Sequence, residues 1–242
     1  NNMGLVFQKL AINRLPEGKK VTRGLLKNKM WLFGFIMNGY LSLPFAIIAL
    51  ALVGPALLPG LDAFGLIFLA IGSLKILKEH LKASEMIGII MMVTAIIFLI
   101  YSGLSISIEN YEYVFGSDLF NRVLVFTLII GLGSLCFFLL RRRASGGTKP
   151  ILYALDSGFM SIINSFWFSV MIAIVARITS GTYSTGELYV LVGAIPLLIS
   201  TNFIGIYWLQ KSFEFGQASI MRPIEQAPTQ IAPIFYFFAV YM

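Results

Sequence analysis

Two carboxylates stand inside long apolar stretches of this 242-residue sequence. Asp62 lies about seven residues inside one stretch, which at 1.5 Å per residue is roughly 10 Å from its outer end. Glu225 lies about nine residues, or roughly 14 Å, from the start of another. An ionisable side chain in such surroundings must be paired, protonated or bound to a ligand. The two positions therefore predict a site for a cation or a proton.

Proline and glycine interrupt both stretches, at Pro55, Pro59, Gly60 and Gly65 around Asp62 and at Pro223, Pro228 and Pro233 around Glu225. A broken helix frees backbone carbonyls for ligands, and such helices often form the binding sites of transporters. Arg222 stands three residues before Glu225 on the same helical face. We expect it to act as a charge partner or gate; the alternative is that the two residues simply neutralise each other.

Four amides occur at similar depth, and we expect them to line a path with the carboxylates: Gln226, Gln230, Asn38 and Asn202. Hydrogen bonds between helices are the alternative explanation for such residues. Asp156 stands near the start of a further apolar stretch, where a capping or interfacial role is expected.

The sequence contains none of the motifs that are typical of catalysis or cofactor binding. His80 is the single histidine and lies in a charged loop, and Cys136 is the single cysteine. The chain contains no HExxH helix and no phosphate-binding glycine loop. The sequence therefore predicts neither an enzyme nor a bound cofactor, and a metal at Asp62 and Glu225 only as a transported cation.

The amino-acid composition predicts whether water or lipid surrounds the chain. Apolar and aromatic residues make up 58% of it and charged residues 12%, with a mean hydropathy of +0.85. Soluble domains carry about 25% charged residues. The apolar segments fall near 1–13, 31–53, 55–74, 86–108, 119–140, 151–176, 188–209 and 216 onward, with another starting near 231. Lengths near 20 residues indicate spanning helices, so the predicted fold is an all-α polytopic membrane protein.

Most of the 18 Lys and Arg residues fall in alternate loops, at 14–30, 75–84 and 141–149. By the positive-inside rule these loops are cytoplasmic, and we expect the plasma membrane as the location. The net charge of +7 then reflects orientation, so no nucleic-acid partner is expected. The expected partners are the lipid bilayer and a transported small molecule or cation, with a homodimer or a larger membrane complex as further options.

An internal repeat emerges when the sequence is shifted against itself. A shift of 163 residues brings Asp62 onto Glu225 and Arg14 onto Arg177, and a shift of 164 brings Asn38 onto Asn202. Five helices per unit invert the second copy, as in many transporters. We therefore predict a first half at 1–141 (TM1–TM5), a basic linker at 142–149 and a second half at 150–242. Ten helices are expected in the full chain, which would extend beyond both ends, with about eight or nine present here.

Short motifs between Trp31 and Leu104 resemble the drug/metabolite transporter superfamily. They comprise the turn Gly54-Pro55-Ala56, the exit Leu77-Lys78-Glu79-His80-Leu81 and the opening Glu85-Met86-Ile87-Gly88-Ile89 of the next helix. The basic first loop and the segment Ser219–Glu225 are similar to the NIPA-like magnesium transporter branch. This resemblance implies a ten-helix transporter with an inverted repeat, and Mg²⁺ or another divalent cation as one candidate substrate.

Together these observations predict a secondary-active transporter that moves a small metabolite or a cation by alternating access, with its site between the halves. A NIPA-like divalent cation transporter is the first alternative. The alternative of another class is a non-transporting structural subunit of a larger membrane complex.

Overall fold

The computed structural model describes residues 2–14, 25, 27–42, 44–45, 47–49, 52, 65–79, 83–101 and 113–241. Helices are the only regular elements in these ranges, which contain no strand. Asp62 and His80 lie outside the described residues. The predicted all-helical class is therefore confirmed for the part of the chain described, whereas the ten-helix inverted repeat stays a prediction.

The helices with described bounds are α1 Asn2–Asn13, α2 Lys29–Asn38, α3 Gly65–Leu77, α4 Ala83–Tyr101, α5 Asp118–Arg143, α6 Thr148–Ser180, α7 Thr185–Phe215 and α8 Ala218–Tyr236. The last turn of α3, Ser73–Leu77, is π-helical, and a π-helical segment, Phe237–Tyr241, extends α8. From α5 onward each helix follows the previous one after a short connection, at 144–147, 181–184 and 216–217, as in an antiparallel bundle.

Three of the described helices, α5, α6 and α7, are long and apolar enough to cross a membrane. They contain 26, 33 and 31 residues, more than the roughly 20 that a span requires. Large apolar side chains such as Leu128, Phe203 and Phe238 are about 60% exposed on the outside of the bundle. Such a surface suits contact with lipid chains.

These three helices are longer than their apolar segments predict, because polar caps extend their ends. Ser117 accepts a hydrogen bond from Phe120 N at the start of α5, and Ser184 and Glu187 form a capping box at the start of α7. Gly181 ends α6 with a φ of 75°, a conformation that favours glycine. At the other end α5 runs to Arg143, so the connection to α6 is only 144–147, shorter than the predicted linker.

Helix α6 is the centre of the described bundle and packs against α5, α7 and α8. One apolar core fills the space between these four helices and includes Phe126, Phe166 and Tyr236. A second core joins α1 and α3 to the ends of α7 and α8 through Leu5, Phe213 and other residues. The two cores hold α8 between the first helices of the chain and the later ones.

Candidate functional site

Glu225 lies inside the bundle, with 3% of its side chain exposed. Because α8 begins at Ala218, the residue stands roughly 10 Å along that helix. Arg222 donates from Nη1 to Glu225 Oε2, and this pair is also largely buried. The i, i+3 spacing thus produces the contact expected from the sequence. A buried carboxylate held by one guanidinium forms the centre of the candidate site.

Two other helices contribute polar atoms to this pair. Ser161 of α6 donates from Oγ to Glu225 Oε1 at 2.9 Å. Asn2 of α1 accepts from Arg222 Nε on its Oδ1 at 3.3 Å. Three helices therefore meet at the site, and they come from both predicted halves of the chain.

Glycine allows the helices to approach closely here. A Cβ added to Gly158 of α6 would lie 2.4 Å from the backbone oxygen of Glu225, too close for any side chain. A Cβ on Gly65 at the start of α3 would lie 2.0 Å from Nδ2 of Asn2. Small residues at helix contacts are the usual means of close packing in membranes. The site is thus closed by backbone contact as well as by hydrogen bonds.

Replacing Gly158 by alanine is expected to lower the stability of the purified protein by about 1–3 kcal/mol, because the new methyl group overlaps the Glu225 carbonyl. The matched control is Gly193→Ala in α7, where no atom lies within 4 Å of the added Cβ. Thermal unfolding in detergent compares the two variants. Equal unfolding temperatures for both would contradict the close contact between α6 and α8.

The predicted amides are placed unequally. Gln226 is buried beside Glu225, and Gln230 follows one turn later with its Nε2 buried and without a hydrogen-bond partner among the described residues. Asn38 ends α2 against Gly4 of α1. Asn202 is exposed on α7. The first two therefore stand on the same helix as Glu225, within about one and a half turns of it, while Asn202 faces away from the interior of the described bundle.

Asp156 has a different environment from the one expected. It is 1% exposed and lies in the interior of α6, where Arg141 Nη1 approaches its Oδ2 at 2.8 Å and Ser134 donates to Oδ1. Aromatic rings of Phe138, Tyr153 and Trp208 surround the guanidinium, at 3.8 to 4.9 Å from their centres. The capping role is wrong: Asp156 is half of a buried ion pair, and Arg141, expected in the basic loop 141–149, is the other half, whereas the interfacial depth stays a prediction.

A second buried polar network joins α1, α2 and α7. Trp31 donates from Nε1 to Gln210 Oε1 at 3.1 Å, and Gln210 in turn donates to Gln8 Oε1. Sequence reasoning singled out neither this network nor Ser161 and Asn2. The available signal was the presence of polar side chains in apolar segments, which does not identify their partners.

The atoms around Glu225 suit a hard cation better than a soft one. Oxygen is the potential ligand atom on Glu225, on Ser161, which contacts it, and on Asn2, which contacts Arg222, and oxygen ligands favour Mg²⁺ and Ca²⁺. Within the described ranges, His, Cys, Asp and Glu side chains form no group of three or more that could hold a metal ion. Mg²⁺ usually keeps several waters and takes one or two carboxylates. A single carboxylate with neutral oxygens is thus compatible with a transiently bound cation.

A family model described as "Magnesium transporter NIPA" matches residues 3–232 of the chain. The matched range contains Ser161, Arg222 and Glu225 and almost all of the described helices. No curated protein and no solved structure matches the chain. The match confirms the resemblance to the NIPA branch that the short motifs indicated.

Proposed function

Because this chain belongs to the magnesium transporter NIPA family, we propose that it carries a divalent cation, with Mg²⁺ as the first candidate, across the membrane by alternating access. Family membership makes the protein a membrane transporter. The cation, the route and the conformational cycle are our proposal. A small metabolite is the other substrate class that the sequence left open.

The observation that carries the proposal is the buried Glu225 carboxylate, whose two oxygens contact a hydroxyl and a guanidinium. Its Oε1 accepts from Ser161, and its Oε2 is held by Arg222. A carboxylate far from water is costly unless a positive charge neutralises it. A cation can therefore bind Glu225 only if it replaces the Arg222 guanidinium as the positive charge that neutralises the carboxylate.

We assign Arg222 the role of a tethered cation that occupies Glu225 between transport events. Its Nε already has an alternative acceptor, Oδ1 of Asn2 at 3.3 Å, on the neighbouring helix. Movement of the guanidinium toward α1 would release a carboxylate oxygen for Mg²⁺. Return of the guanidinium would displace the ion, so the site never holds an unpaired negative charge. Asp62, three residues before Gly65, is proposed as the second carboxylate of the path.

The packing of the helices supports alternating access, because it distinguishes a group around α1 from a group around α6. Helix α1 packs mainly against α2 and has smaller contacts with α3, α7 and α8, whereas α6 packs mainly against α5, α7 and α8. Asn2 belongs to the first group, and Ser161 and Glu225 belong to the second. Transporters built from repeats bind their substrates where the repeats meet. Motion of one group against the other would therefore open and close the surroundings of Glu225.

The distribution of basic residues supports an orientation of the bundle in the membrane. We call one end of the bundle the basic end; it consists of the exit of α3, the α5–α6 connection and the α7–α8 turn. Lys149 lies 5.8 Å from the Phe215 ring centre, and Glu79 contacts Ser219, so these segments adjoin each other. Arg141, Arg142 and Arg143 end α5 on the same side. We propose that the basic end is cytoplasmic.

Purified protein reconstituted into liposomes tests the proposal through the initial rate of Mg²⁺ uptake, read with an enclosed Mg²⁺-sensitive dye. Saturable uptake above that of protein-free vesicles is the expected result. Uptake equal to that of empty vesicles would reject cation transport. Stoichiometric copurification of other membrane proteins together with that failure would favour the structural-subunit alternative.

A further inference from the structure

The turn between α7 and α8 is held by two oppositely charged residues from the first half of the chain. Lys9 of α1 donates from Nζ to the backbone oxygen of Phe213 and, at 2.8 Å, to that of Gly216. These carbonyls belong to the C-terminal end of α7, which carries partial negative charge. A lysine is therefore matched to the charge of that helix end.

Glu79 makes the complementary contact with α8. Its Oε1 accepts from Ala218 N at 3.1 Å, and its Oε2 accepts from Ser219 N at 3.3 Å and from Ser219 Oγ at 2.9 Å. The first backbone N–H groups of a helix lack partners within the helix and carry partial positive charge. One carboxylate, 139 residues away in the chain, thus caps the helix that contains Glu225.

The end of α3 is shaped to present this carboxylate. Its last turn is π-helical, and Lys78 follows with a φ of 56°, in the left-handed region. The N–H of Glu79 then donates to the Ser73 oxygen at 3.0 Å, which fixes the residue after the turn. A non-glycine residue with positive φ is uncommon and persists where surrounding contacts hold it. Here the contact with Ala218 and Ser219 lies directly next to it.

We propose that Lys9 and Glu79 form the gate at the basic end, a two-charge clamp that must release the α7–α8 turn before the Glu225 site opens to that side. The inference rests on the proposed alternating access. In the described conformation the clamp is closed. The clamp holds the N-terminus of α8, and Glu225 follows Ala218 by only two turns of this helix. Release of the α8 N-terminus therefore moves the segment that holds Glu225.

The Ser161→Cys variant places a thiol next to Glu225, and the rate at which a reagent labels this thiol measures access to the site. The measurement does not require transport. The background is Cys136→Ser, because Cys136 is exposed. A small membrane-impermeant thiol reagent is added from the basic end, and the labelling rate is compared between Glu79→Ala and Glu214→Ala. Glu214 is the matched control because it lies at the end of α7 and, within the described residues, forms a local ion pair with Lys211 at 2.7 Å.

The expected result is a labelling rate about tenfold higher in Glu79→Ala than in the control, as for a shift of about 1.4 kcal/mol toward the open state. Lys9→Met should raise the rate in the same direction, and Ser219→Ala, which loses a single hydrogen bond, should do so less. Equal rates in Glu79→Ala, Lys9→Met and the control would overturn the gate. If Glu79→Ala does not elute as folded protein, Lys9→Met and Ser219→Ala decide the result.

Mg²⁺ uptake by the protein without the reporter cysteine separates the two proposals. Faster labelling together with no uptake by the wild-type chain would leave the gate in place and remove Mg²⁺ as the substrate. Saturable uptake together with unchanged labelling would leave the transport proposal in place and remove the clamp as the gate.

Discussion

Proteoliposomes containing the Glu225→Gln variant are expected to take up Mg²⁺ on the order of 100-fold more slowly than wild-type vesicles. The substitution keeps the size of the side chain and removes the charge that would bind the cation. It also leaves the Arg222 guanidinium without its carboxylate, which costs roughly 3–5 kcal/mol of folding stability, and this positive charge repels a cation at the same position. Both effects act against a bound cation at this position.

Glu214→Gln is the control for this variant, because the same chemical change is made in an exposed pair at the end of α7. Its uptake should equal that of the wild type at equal protein density. If Glu225→Gln transports as fast as Glu214→Gln, the carboxylate of Glu225 has no part in transport and the site must lie elsewhere.

The Asp156→Asn variant is expected to lose about 3–5 kcal/mol of stability, because it breaks a buried ion pair. Asp156 and Arg141 are 1% and 5% exposed, with 2.8 Å between Nη1 and Oδ2. Removing the carboxylate charge leaves a buried guanidinium that water cannot reach. For a chain of this size the loss corresponds to an unfolding temperature lower by on the order of 10 °C.

Thermal unfolding of the purified variant in detergent measures this shift, with Glu214→Gln again as the control. Exposed ion pairs contribute less than about 1 kcal/mol, so the control should unfold near the wild-type temperature. The aromatic rings around Arg141 offer a second comparison. Trp208→Leu removes the ring 3.8 Å from the guanidinium but keeps the salt bridge, and it should cost less than Asp156→Asn. Similar unfolding temperatures for Asp156→Asn and the control would contradict the buried pair.

Much of the general architecture was predictable because lipid imposes strong constraints on composition. Runs of apolar residues located α5, α6 and α7 within a few residues at most ends. The ends themselves were less predictable, because serine caps and basic side chains extend a helix beyond its apolar part. Arg141 illustrates the error: it is counted with a basic loop in the sequence, yet it is buried among aromatic rings of three helices.

In the candidate site, only the contact between residues that are close in the sequence was predictable. Arg222 and Glu225 are three residues apart, so helical geometry alone places them together. Ser161 and Asn2 are 64 and 220 residues away from the groups that they contact, and no periodicity relates them to those groups. The same holds for Glu79, whose side chain caps a helix 139 residues later. Contacts of this kind depend on the tertiary packing.

In the proposed cycle, Mg²⁺ and the Arg222 guanidinium compete for the carboxylate of Glu225. The affinity for Mg²⁺, measured by titration calorimetry on purified Arg222→Gln, Arg222→Lys and wild-type protein, tests this competition most directly. We expect a dissociation constant about tenfold lower for Arg222→Gln, because the competing guanidinium is gone, and a near wild-type value for Arg222→Lys, which keeps the charge. A dissociation constant for Arg222→Gln equal to or higher than that of the wild type would contradict this competition.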